Sequence, residues 1–97
     1  MVKLLRRPFN EESHVYHLFV VRCEDRNRLQ KYLNEKGIST LIHYPCCPHR
    51  QKAYKEFVGE QYPVAEKLES EVLSIPISPV MLEEEVDFVI DALNTFV

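Results

Sequence analysis

The hydrophobic positions of the chain fall into short runs with two different spacings, which predict alternating strands and helices. Residues 14–23, HVYHLFVVRC, are β-branched and aromatic, and both faces of the run are largely apolar. We therefore predict a strand that is covered on both sides. Residues 39–44 and 72–77 predict two more strands. Pro76 lies within the last of these and predicts that the strand ends early or lies at an edge.

Helical spacing occupies the segments between and after these runs. Residues 25–37 predict a helix that ends at Gly37 in the left-handed conformation. Residues 49–57 predict a short helix, and Pro63 suits the first turn of another. The clearest helical period lies in residues 82–96. Its apolar positions, which predict the buried face, are Val86, Val89, Ile90, Leu93, Phe96 and Val97.

This order of elements predicts an α+β fold, with a small three-stranded sheet packed against about four helices on one face. Residues 1–13 are charged, contain Pro8 and show no sustained period, so we interpret them as a linker or leading segment. Residues 14–97 are then one small domain. Helices on one face leave most of the second sheet face without a predicted cover.

The charge and cysteine content exclude several classes of partner. The net charge is −3, and the only adjacent arginines are Arg6 and Arg7, so nucleic acid is not predicted as a partner. No apolar run is long enough to span a bilayer, and the first residues show no signal-peptide pattern. We therefore predict a cytoplasmic protein with no membrane partner. Its three thiols, Cys23, Cys46 and Cys47, are expected to be reduced.

Residues 37–54, GISTLIHYPCCPHRQKAY, hold the densest group of reactive side chains. Four possible metal ligands lie within seven residues: His43, Cys46, Cys47 and His49. A structural zinc site usually draws its ligands from two separate segments, and prolines stiffen this single loop, so a metal site is disfavoured. A cysteine nucleophile needs an activating base and an orienting third group, and no third group can be named. The cysteines are more simply read as small hydrophobic residues.

Other residues lack the pattern of a self-sufficient catalytic set. The six lysines occupy the leading segment or exposed helix positions, so none is predicted to form a Schiff base. Only Gly37 and Gly59 are glycines, which excludes a glycine-rich phosphate loop. His17 is interpreted as a hydrogen-bonded core or edge histidine rather than a ligand. Arg22 is expected to pair with Glu24 or a helix carboxylate.

Four blocks of the chain occur in an order that is familiar: G-I-x-T-x-I-H-Y-P, P-H-x-Q-x-A-Y, P-x-A-E, and L-S-I-P followed by a further proline. From His14 to Val97 the chain resembles the C-terminal small domain of the DegT/DnrJ/EryC1/StrS family. The resemblance implies a pyridoxal phosphate (PLP)-dependent aminotransferase that transfers an amino group, from glutamate, to a nucleotide-linked keto sugar. Such enzymes serve cell-surface polysaccharide or deoxyaminosugar biosynthesis.

The resemblance also implies where the missing parts of such an enzyme lie. A large domain outside these 97 residues would hold the cofactor and the Schiff-base lysine, and a second subunit would complete a homodimer. The chain alone would then be inactive and bind no cofactor. In the family the H-Y-P loop borders the active-site cleft, so His43 and Tyr44 are implied to bind the sugar nucleotide. The alternative is that both residues only end a strand and close the core.

The loop departs from the family pattern at Cys46 and Cys47, where apolar residues or proline are usual. The sequence of this H-Y-P block favours enzymes that aminate C3 of a dTDP-linked keto-deoxyhexose. A second functional hypothesis from the residues is a stand-alone α+β module that binds a small molecule or regulates another protein. No catalytic residue and no metal ligand is predicted within the chain.

Overall fold

The computed structural model describes residues 1–97, and its centre is a three-stranded antiparallel sheet in the order β1-β2-β3. The strands are β1 Val2–Leu4, β2 Phe19–Cys23 and β3 Val72–Ile75. The α-helices are α1 Arg26–Glu35, α2 Pro63–Glu71 and α3 Glu83–Thr95. Three short 3-10 helices span Glu11–Ser13, Pro48–Arg50 and Lys52–Phe57. The predicted α+β class with a three-stranded sheet is confirmed.

The first strand lies in the segment interpreted as a linker. Val2 is opposite Cys23 and Leu4 is opposite Val21, so residues 2–4 form an edge of the sheet. The sequence predicts no strand in residues 1–13, because three residues are too few to show an alternating pattern. The division into a linker of residues 1–13 and a domain of residues 14–97 stays a prediction.

The predicted strand at residues 39–44 is reduced to one point of contact with the sheet. Leu41 and Ser74 exchange two backbone hydrogen bonds, of 3.1 and 2.8 Å, and no further pair forms. The prediction of a full strand is wrong here. Pro45 has no N–H to donate and restricts the residue before it, so the chain leaves the sheet instead of continuing along it.

The other two predicted strands are shorter than their hydrophobic runs. β2 begins only at Phe19, because Tyr16 has a φ of 49°, which is incompatible with an extended strand. β3 ends at Ile75, immediately before Pro76, as the proline predicts.

The hydrophobic core lies between one face of the sheet and the helices α1 and α3. Val21 and Leu73 face each other across β2 and β3, and neither is accessible to solvent. α1 contributes Leu29 and Leu33, which are also fully buried and lie one helical turn apart. Four interlocked aliphatic side chains thus fix the sheet against its first helix.

The buried face of α3 differs from the predicted one. The helix buries Val89 and Ala92, and the small Ala92 side chain faces the core. Val86 and Ile90 are 40% and 47% exposed, and Val97 is fully outside. The prediction of a buried face through these three residues is wrong, because the helix presents its alanine side to the sheet.

Helix ends follow the local sequence in most places. Gly37 has a φ of +81° just beyond α1, and Pro63 begins α2, as predicted. The predicted helix at residues 49–57 is two 3-10 helices instead. Gln51 between them is extended, with a ψ of 147°, and this interrupts the helical hydrogen bonds.

An ion pair lies at the end of the sheet where α2 meets β3. Arg22 Nε donates to Glu71 Oε2 at 3.0 Å, and Glu71 is buried, so the expected pairing of Arg22 with a helix carboxylate is confirmed. Arg26 donates to the carbonyl oxygens of Glu69 and Val72, at 3.2 and 3.0 Å. These contacts fasten the C-terminal end of α2 to β2 and α1. None of the helices combines the length and the apolar character that crossing a membrane requires.

The Glu71 ion pair predicts a specific dependence of stability on pH. Hydrogen bonds from Arg22 hold the pKa of the Glu71 carboxyl below its usual range, against the opposing effect of burial. A carboxyl whose pKa is lower in the folded state stabilises the fold above the unfolded-state pKa of about 4.3, and this contribution is lost as the pH falls through the folded-state pKa. Glu71→Gln should therefore lower the free energy of unfolding near neutral pH. It should also make the fall of this free energy between neutral and acid pH smaller than in the unsubstituted chain.

Urea unfolding at about pH 7 and about pH 3 measures both effects. Glu56→Gln is the matched control, because Glu56 is exposed and makes no hydrogen bond or ion pair. If stability fell as steeply with falling pH in Glu71→Gln as in the unsubstituted chain, this ion pair would not govern the acid dependence of stability.

Candidate functional site

The loop that begins at Leu41 attaches His43 to the sheet through a single buried serine. Ser74 lies in β3, and its backbone pairs with Leu41. Its hydroxyl Oγ lies 2.8 Å from His43 Nδ1, and no other hydrogen bond involves the imidazole. Because Nδ1 is engaged, Nε2 is the ring nitrogen that is left to bind another molecule.

Tyr44 follows His43 and points away from the core. It is 69% exposed, its phenol makes no hydrogen bond, and the peptide bond that joins it to His43 is cis. The two rings meet edge to face with their centroids 5.2 Å apart. A free imidazole nitrogen and a free phenol hydroxyl therefore lie side by side, and the exposure of Tyr44 does not fit a residue that only closes the core.

Two pockets flank this pair, and His43 lines both. One, of about 310 Å³, lies between the His43–Tyr44 pair and α2, with Gln51 and Glu69 as its polar residues. The other, of about 530 Å³, crosses the end of β3. Its polar side chains are His17, Ser39, Thr40, Ser74, Ser78 and Glu85. Hydroxyl, imidazole and carboxylate groups of this kind hydrogen-bond readily to a polyhydroxylated ligand.

His17 occupies a different place from the one its sequence context suggests. It precedes β2, is exposed and makes no hydrogen bond, so the expected hydrogen-bonded core or edge histidine is wrong. The apolar run around it suggested burial, but the strand begins two residues later. His17 instead contributes a second imidazole to the larger pocket.

Carboxylates of α2 bind the residues that follow Tyr44. The Cys47 N–H donates to Glu69 Oε1 at 2.8 Å, and Arg50 Nη1 donates to Glu69 Oε2 at 2.9 Å. Arg50 also pairs with Glu66, and Gln51 Nε2 donates to the Cys46 carbonyl at 3.2 Å. Glu69 thus holds the loop at two points, which limits the positions that the neighbouring His43–Tyr44 pair can take.

Cys47 and His49 serve packing in this arrangement. The Cys47 thiol donates to the Ala65 carbonyl at 3.3 Å, and burial, aided by the charge of Glu69, raises the pKa of the thiol. A thiol with a raised pKa is a poor nucleophile. His49 is buried against Tyr62, with ring centroids 4.9 Å apart. No three His, Cys, Asp or Glu side chains are grouped so that they could hold a metal ion.

None of the lysines of the chain is suited to hold pyridoxal phosphate through a Schiff base. Its six lysines are all exposed, so none has the apolar surroundings that favour a neutral, nucleophilic amine. A side chain added at Gly37 or Gly59 would meet no atom within 4 Å, so the space at these glycines is open and forms no cradle for a phosphate. The residues of this chain therefore do not supply the Schiff-base lysine that this cofactor requires.

A comparison with models of protein families shows to which family the chain belongs. The family described as the DegT/DnrJ/EryC1/StrS aminotransferase family matches residues 2–94. This chain belongs to that family. A curated family member, the dTDP-3-amino-3,6-dideoxy-alpha-D-galactopyranose transaminase of Aneurinibacillus thermoaerophilus, is 53% identical over 87 residues. The alignment covers 90% of this chain and 24% of that enzyme.

Solved structures of the family share the fold. A DegT/DnrJ/EryC1/StrS aminotransferase from Brucella abortus superposes with a TM-score of 0.85 at 30% identity, over 96% of this chain and 25% of that one. NtdA from Bacillus subtilis, with bound cofactor PMP, superposes with a TM-score of 0.81 at 34% identity, over 96% of this chain and 22% of that one. The chain thus spans about a quarter of the length of these aminotransferases.

Sequence reasoning did not find the residues that support the site. Ser74, Glu69 and Arg50 each act through a contact with a residue distant along the chain. A weak signal existed for Ser74, because it is the one polar residue in the apolar strand VLSI. For Glu69 and Arg50 no signal distinguished them from ordinary surface charges.

Proposed function

We propose that this chain is the small domain of a PLP-dependent aminotransferase that acts on a nucleotide-linked keto sugar, with glutamate as the amino donor. The name of the 53% identical relative supports a dTDP-linked deoxyhexose aminated at C3. The PMP bound to NtdA, which is the aminated form of PLP, supports the cofactor. We propose that the cofactor and the Schiff-base lysine belong to a large domain outside these residues, in a cytoplasmic homodimer, and that the chain alone is inactive.

Within this assembly, His43 and Tyr44 are proposed to bind the sugar nucleotide. The observation that carries this assignment is the free His43 Nε2, held in place by Ser74 and adjacent to the exposed phenol of Tyr44. Both groups can hydrogen-bond to sugar hydroxyls or phosphate oxygens, and pockets on each side give such a ligand room. Ser74 is a positioning residue, because it acts only through the imidazole.

A titration of the 15N-labelled chain tests this assignment, with dTDP-glucose as a stable analogue of the keto sugar. We expect weak, saturable NMR shifts centred on His43 and Tyr44, and none with PLP or Zn²⁺. Tyr44→Phe removes one hydroxyl hydrogen bond of about 1 kcal/mol and should weaken binding roughly fivefold. His43→Ala should weaken it about tenfold or more, since it also removes ring packing.

Tyr54→Phe is the matched control, because the Tyr54 phenol is half-exposed, makes no hydrogen bond and lies outside both pockets. It should leave the affinity unchanged. Ser74→Ala should weaken binding and shift the 15N resonances of the His43 ring, which report its tautomer. Shifts at Cys46, Cys47 and His49 with Zn²⁺, or no response at His43 to dTDP-glucose, would contradict the assignment.

A further inference from the structure

A third pocket, of about 190 Å³, lies beside the larger pocket of the His43 site. Leu18 lines both pockets, so the two share one wall. Val20 also lines the third pocket, and in β2 it pairs with Ser74, the residue that holds His43. The polar side chains of this third pocket are Arg6, Arg7, His14 and Tyr16.

The two arginines of this pocket carry charge that nothing in the chain neutralises. Every other arginine has a partner: Arg22, Arg28 and Arg50 pair with carboxylates, and Arg26 donates to backbone carbonyls. The Arg6 guanidinium carbon lies 5.1 Å from the centroid of the Phe9 ring, and neither Arg6 nor Arg7 forms a side-chain hydrogen bond or an ion pair. Two unpaired guanidinium groups at one pocket of an otherwise acidic chain favour an anionic ligand.

Tyr16, another residue that lines this pocket, has an unusual backbone conformation. Tyr16 has a φ of 49°, the left-handed region that residues with side chains rarely adopt. Its N–H donates to His14 Nδ1 at 2.9 Å, and the His14 and Tyr16 rings lie 4.1 Å apart. Tyr16 stacks in turn on Phe19, with centroids 5.9 Å apart. Residues other than glycine that adopt the left-handed backbone conformation are concentrated at ligand sites, where surrounding contacts maintain that conformation.

We propose that this pocket binds the diphosphate of the nucleotide sugar, with Arg6 and Arg7 as its ligands. The inference rests on the proposed function, because the diphosphate belongs to the nucleotide sugar proposed to bind at His43, and the two pockets share Leu18. Guanidinium groups pair with phosphate oxygens in two-point contacts, which suits two neighbouring arginines. The rings of His14 and Tyr16 line the same pocket beside the arginines.

Inorganic pyrophosphate is the probe that isolates this interaction. We expect it to shift the resonances of Arg6, Arg7, His14 and Tyr16 in the 97-residue chain. The double variant Arg6→Gln with Arg7→Gln should weaken pyrophosphate binding about tenfold or more, as expected for the loss of charge-assisted hydrogen bonds. The control is Lys31→Gln with Lys52→Gln, which makes the same change in net charge at exposed, unpaired lysines elsewhere.

Equal weakening by both double variants would show only a nonspecific charge effect and would overturn the proposal. Titration with dTDP-glucose separates it from the proposed function. A response at His43 and Tyr44 that the arginine variant leaves unchanged in affinity would contradict the phosphate site alone. Arginine-dependent pyrophosphate binding without any response of His43 to dTDP-glucose would support the phosphate site and contradict the sugar site.

Discussion

Truncation of Leu73 to alanine is expected to lower the free energy of unfolding by about 3 kcal/mol, within the range of 2–5 kcal/mol typical of buried leucines. Leu73 has no solvent exposure and packs between its strand partner Val21 and the buried leucines of α1. The substitution removes the apolar contacts and leaves a cavity that the rigid sheet cannot close. Urea unfolding followed by circular dichroism measures the loss.

The control is Leu41→Ala, which makes the same chemical change at a side chain that is 64% exposed. Its backbone bonds to Ser74 do not depend on the side chain, so we expect a change within about 0.5 kcal/mol. A similar loss for both variants would show that the core described between the sheet and α1 does not govern stability.

Replacement of Glu69 by alanine is expected to be the most damaging change on the surface of α2, at about 2 kcal/mol. The carboxylate accepts hydrogen bonds from the Cys47 N–H and from Arg50. Without it, the N–H of a buried residue loses its partner, and Arg50 keeps only Glu66. Because Glu69 also helps to raise the pKa of the Cys47 thiol, the thiol should become both more accessible and more readily ionised.

Two measurements test the Glu69→Ala variant. Urea unfolding gives its stability, and peptide mass spectrometry gives the rate at which the Cys47 thiol is alkylated. Alkylation should be faster than in the unsubstituted chain, because the loop opens more often. Glu56→Ala is the control, since Glu56 is exposed and makes no contact of this kind. If Glu69→Ala left both quantities at the values of the control, Glu69 would not be the residue that holds the loop.

Local chemistry predicts the ends of elements well in this chain. Gly37 ends α1, Pro63 begins α2 and Pro76 stops β3, because each residue restricts or frees its own backbone regardless of distant contacts. The pairing of β1 with β2 and the single contact of Leu41 with β3 depend on residues far away in sequence. A local pattern carries no information about such pairs.

The same limit applies to the candidate site. The resemblance to the family, and no local pattern, points to His43 and Tyr44, and their binding role stays a prediction. The hydrogen bond that orients His43 joins it to a residue 31 positions away. Tyr16 could not be anticipated either, since its left-handed backbone contradicts the β-forming composition of residues 14–23.

The three residues of β1 have a consequence for how the chain should be shortened. β1 covers one edge of β2 and is itself the exposed edge of the sheet. It has only three residues, and its Lys3 pairs with Glu24. Short, charged edges discourage pairing between molecules. Removing residues 1–5 as dispensable would uncover the backbone N–H and C=O of Arg22, which face β1, along an apolar strand. We expect such a shortened chain to aggregate where the full chain stays monodisperse.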